Sequence, residues 1–155
     1  MAINKDQTVL AKITEETEDN IAQLYQVYAD KFPEFADFWS GLVIEQINHS
    51  NTIHGLMNKV RTGLLSCSEN RADCQSLESL QNKVKQEIIR AKEGKPSVSE
   101  AFSITLEIEK NLSRREYSEA LDEDSEEVRT AFSYLASATQ RHINRIEKHL
   151  KSKEE

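Results

Sequence analysis

The sequence predicts an all-α protein: a four-helix bundle made of two long helical hairpins, with a short crossover helix between long helices 2 and 3. Three observations predict it. Only 4 Gly and 2 Pro occur among 155 residues, too little turn chemistry for a many-stranded β fold. Apolar residues recur three and four positions apart over long stretches, the spacing of one helix face. Helix-breaking and capping residues cluster at a few places and leave long uninterrupted segments between them.

The first segment runs from about Asp6 to Asp30, with Asn4 and Gln7 spaced as a capping box at its start. Pro33 sits early in the second, where its missing N–H costs little. That segment reaches about Leu65. Ser66 to Ser76 holds both cysteines and reads as a loop. A shorter helix follows, from about Leu77 to Glu93, closed by Gly94. Pro96 and Ser97 open the third long helix, with Ser97 and Glu100 spaced as a capping box, and it ends near Leu121. The acidic group Asp122-Glu123-Asp124 precedes the fourth, from Ser125 to about Leu150, and suits the positive helix N-terminus. Lys151 to Glu155 reads as a frayed end. Hairpin, crossover and hairpin form one domain over residues 1–155.

Composition narrows the function classes. With 20 basic and 27 acidic residues the net charge is −7, so attraction to nucleic acid or anionic lipid is not expected. The start of the chain has no apolar run that reads as a secretory signal, and no stretch is apolar enough to span a membrane. A soluble cytoplasmic protein is the expectation. Cys67 and Cys74 are too few for a disulfide framework and read as free thiols. No nucleophile–base arrangement or glycine-rich phosphate loop can be argued.

The informative feature is polar residues inside the apolar stripes. On the second long helix Trp39, Leu42, Gln46, His49 and Ile53 share a face, and Glu45 falls at its flank. The third aligns Phe102, Thr105, Glu109, Leu112 and Glu116. The fourth aligns Leu135, Ala138, His142 and Ile146, with Thr139 beside Ala138. The first turns Thr17, Ile21, Leu24, Tyr25 and Tyr28 inward, with Glu18 at the edge. A buried unpaired carboxylate costs several kcal/mol or shifts its pKa until it is neutral. Two Glu and two His at one depth therefore need each other, a metal, or water.

Here the sequence resembles the rubrerythrin branch of the ferritin-like superfamily, from about Thr14 to Leu150. Members hold a di-iron site with one Glu from each of two helices and a Glu-x-x-His from each of the other two. Glu18, Tyr25, Tyr28 and Ala29 look like the first ligand helix, and Leu106-Glu107-Ile108-Glu109-Lys110 like the third. Gln46-Ile47-Asn48-His49 and Thr139-Gln140-Arg141-His142 fall where the two Glu-x-x-His motifs belong, each keeping His and losing Glu. The resemblance implies a ferritin-like fold and a link to iron and peroxide or oxygen chemistry. Four carboxylates neutralise two divalent cations, whereas two neutralise one. The expectation is thus an altered site binding a single divalent metal ion, iron by resemblance, at Glu18, His49, Glu109 and His142. An equally sensible chemistry is an empty network in which imidazole and carboxylate pair directly. The chain would then be a metal-free structural or protein-interaction module. Two cysteines cannot form the four-cysteine iron domain of rubrerythrins, so redox activity implies an external electron donor. Helical hairpin proteins of this type commonly dimerise, and a homodimer is the expected assembly.

Overall fold

Five helices form the described part of the chain. α1 spans Lys5–Lys31, α2 Ala36–Arg61, α3 Cys74–Glu93, α4 Val98–Ala120 and α5 Glu126–Glu154. The computed structural model describes residues 5–61, 74–120 and 126–154, and no strand occurs among them. Cys67, Asp122–Asp124 and the Asn4 cap lie outside the described residues, as does the side chain of Glu116.

The breakers act where local chemistry says they should. Pro33 opens a single 3-10 turn, Pro33–Phe35, which redirects the chain from α1 into α2. The Gly94 N–H donates to Arg90 O at 2.8 Å and closes α3. A Cβ at position 94 would lie 2.8 Å from the same Arg90 oxygen, so only glycine fits without a shift. At α4 the Glu100 N–H donates to Ser97 Oγ at 3.1 Å, the capping bond that the Ser-x-x-Glu spacing predicts. Two boundaries differ from expectation. Cys74 begins α3 rather than ending a loop, and α5 remains helical to Glu154.

α1 packs along both α2 and α3, and α4 packs along α5, while α2 and α5 touch only sparsely. The two helix groups are joined through large side chains. Trp39 of α2 stacks on Phe102 of α4 at 4.6 Å between ring centroids, and its Nε1–H donates to Thr105 Oγ1 at 3.2 Å. Phe35 and Phe38 close around the same Phe102 ring. Rings of this size bury large apolar areas and hold the neighbouring backbones apart. The interior between α1, α2, α4 and α5 therefore has room for the long polar side chains that interrupt their stripes. No helix among the described residues is long and apolar enough to cross a membrane.

Candidate functional site

Each helix of the interior contributes polar residues through its own periodicity. On α2, Gln46 and His49 follow Trp39 and Leu42 along one stripe, and all four are buried. On α4, Glu109 continues the stripe of Phe102 and Thr105; on α5, Thr139 and His142 lie between Leu135 and Ile146. α1 supplies Thr17, Glu18 and Tyr25. The four predicted site residues are all removed from solvent: Glu18 is 4% exposed, His49 5%, Glu109 1% and His142 2%. Glu18, expected at the edge of its stripe, is as deep as the others.

The contacts centre on Glu109 and His142. The Tyr25 hydroxyl donates to Glu109 Oε1 at 2.7 Å. Glu109 Oε2 lies 3.5 Å from His142 Nδ1. The other ring nitrogen, Nε2, meets Glu45 Oε2. His142 is thus bracketed by two carboxylates, the arrangement that suits an imidazolium. The His49 ring lies nearly parallel to it, 6.1 Å away between centroids. His142, rather than His49, is therefore the imidazole in direct contact with acid.

Titration follows from these positions. Burial disfavours the charge on both imidazoles. It prevails at His49, where the neighbouring His142 adds to it, and holds the pKa below the usual 6.5. At His142 burial is outweighed by the Glu109 carboxylate together with that of Glu45, and the pKa rises above 6.5. Tyr25 is pushed well above 10.0, chiefly by burial and then by the adjacent Glu109 charge. It stays a neutral donor throughout the physiological range.

Gln46 differs from these groups. It is 1% exposed, and among the described residues neither its amide nitrogen nor its carbonyl oxygen has a hydrogen-bond partner. A buried carboxamide without a protein partner costs about 1–3 kcal/mol unless water or an ion pairs with it.

Glu45 is the residue that stripe reading missed. Its Oε2 is buried, yet its side chain is 42% exposed. It reaches inward from the flank along the seam between α2 and α5. The only available signal was its length: a Glu beside a stripe can bend its carboxylate into it. His54, expected at the surface, is there, paired with Glu15 and in contact with Asn58.

As donors the group comprises three carboxylates, two imidazoles, a phenol and a carboxamide. Such a set fits a borderline divalent cation. Among the described residues, no three His, Cys, Asp or Glu side chains already converge around one point suited to an ion. Comparison of the chain with family models, with curated proteins and with solved structures returned no match.

Proposed function

We propose that this chain is a ferritin-like four-helix bundle of the rubrerythrin type, formed by α1, α2, α4 and α5 with α3 as its crossover helix. We further propose that it binds one divalent cation, iron by the resemblance, through Glu18, His49, Glu109 and His142. The observation that carries this reading is the stranded Gln46 carboxamide, in a helix stripe that also bears a buried imidazole. Gln46 sits one turn before His49, where the resemblance expects a ligand carboxylate, and an incoming cation would satisfy its carbonyl oxygen. When bound, iron would supply the one-electron change that oxygen or peroxide chemistry needs, with electrons from an external donor.

The chain's own residues set the conditions. Both imidazoles must be neutral to ligate, so cation binding competes with protonation of His142 and with its carboxylate contacts. The Tyr25 hydroxyl holds Glu109 by one oxygen and leaves the other for a ligand. Trp39 and Phe102, both fully buried, stack beside Thr105, one turn before Glu109 on α4.

A second reading has its own observation. His142 between Glu45 and Glu109 is already balanced by direct pairing, which supports a metal-free structural or interaction module. Metal analysis of protein purified anaerobically after iron supplementation separates the two. One iron per chain upholds the first reading. Two would overturn the charge argument, and none would leave the second. The homodimer that goes with the first reading is checked by size-exclusion chromatography.

A further inference from the structure

We propose that Glu45 is the intake carboxylate of this site, capturing a divalent cation at the α2–α5 seam and passing it inward to His142 and Glu109. The inference rests on the single-cation reading above and adds a route and a residue to it. Glu18, Gln46, His49, Glu109, Thr139 and His142 are all buried, so an ion cannot reach them without first meeting another group. Among the described residues of this constellation, Glu45 alone spans the boundary. Its side chain is 42% exposed while its Oε2 is shielded and touches His142 Nε2. It stands on the seam between α2 and α5, whose backbones approach one another at few places.

Charge makes the same assignment. Glu18 and Glu109 suffice to neutralise one dication, so a third carboxylate is surplus to the bound state. A surplus carboxylate at the mouth of an apolar interior is useful in transit: it holds the ion while hydration water leaves. The stranded Gln46 carboxamide, next to Glu45 in the chain, is an independent sign that this part of the interior expects a ligand.

The test uses the full chain and Co²⁺ alone as probe. Trp39 is the only tryptophan and lies on α2 with Glu45, so quenching of its fluorescence reports arrival of the ion. In stopped-flow mixing at low ionic strength, Glu45→Gln should slow association about tenfold, since local charge raises on-rates by that order or more. The end point should stay at one Co²⁺ per chain. Glu45→Asp keeps the charge and should stay fast. Glu107→Gln removes the same charge from an exposed site on α4 and should also stay fast. Unchanged association in Glu45→Gln, with the parent binding normally, would overturn the role of Glu45 and leave the cation site standing. Failure of the parent chain to bind Co²⁺ would overturn both.

Discussion

His49 and His142 lie side by side in the same interior, yet their pKa values move apart. The cause is contact: His142 has a carboxylate at each ring nitrogen, whereas His49 has mainly burial and a neighbouring imidazole. Their contributions to stability run in opposite directions in chelated, metal-free protein. The raised pKa of His142 gives stabilisation that is fully present below pH 6.5 and is lost as pH rises through the folded value. The lowered pKa of His49 means that stability is lost as pH falls from 6.5 toward its folded value. Histidine ring titration by NMR should find His142 above 6.5 and His49 below it, and Glu109→Gln should bring His142 down. The reverse order would show that the acid–imidazole contacts do not persist in solution. Tyr25→Phe gives a second check, since it strands Glu109 Oε1 in an apolar setting. It should cost about 1–3 kcal/mol in urea unfolding, and a neutral effect would mean that water replaces the hydroxyl. Much of this interior was legible before any coordinates. Counting threes and fours places Gln46, His49, Glu109, Thr139 and His142 inside, and all five are buried. The same count sets Glu18 at an edge and Glu45 at a flank. It records the direction in which a side chain leaves the helix, but not how far a Glu can reach or what roofs it over.

Helix ends show a similar division. The start of α4 was legible because Ser97 and Glu100 carry a capping signal with a definite partner, and the Ser97–Glu100 bond is formed. Ser97→Ala should cost about 0.5–2 kcal/mol, read as a lower urea midpoint at unchanged slope. A loss well below that range would mean that water caps the Glu100 N–H equally well. The start of α3 was not legible, because Cys74 brings no capping side chain and no acidic residue stands in the first turn. Ser76 instead resembles turn chemistry, which carries the expected loop past the true start of the helix. The stop of α3 was legible for the converse reason: Gly94 is where a Cβ would strike Arg90 O. Boundaries marked by a specific hydrogen bond can be read from sequence, whereas boundaries set by how far tertiary packing extends cannot. α3 illustrates the second kind, since it packs along α1.

Across the whole molecule, aromatic side chains set the distance between the two helix groups, and that distance decides how many charges the interior can hold. Two of the four positions where the resemblance expects carboxylates hold Gln46 and Thr139, both buried. Restoring them with Gln46→Glu and Thr139→Glu adds two negative charges to a region of low dielectric. Each buried ion costs several kcal/mol unless compensated, so the metal-free double variant should unfold at lower temperature than the parent. A divalent metal that binds only the folded state should recover that loss, with recovery growing with metal concentration. Iron bound per chain should rise from one to two under anaerobic titration. Thermal unfolding with and without Fe²⁺, alongside metal analysis, separates the outcomes. A double variant that is destabilised, binds no second ion and is not rescued would mean that positions 46 and 139 do not face a common centre. The resemblance to a two-metal bundle would then fail in register, although the helices themselves would stand.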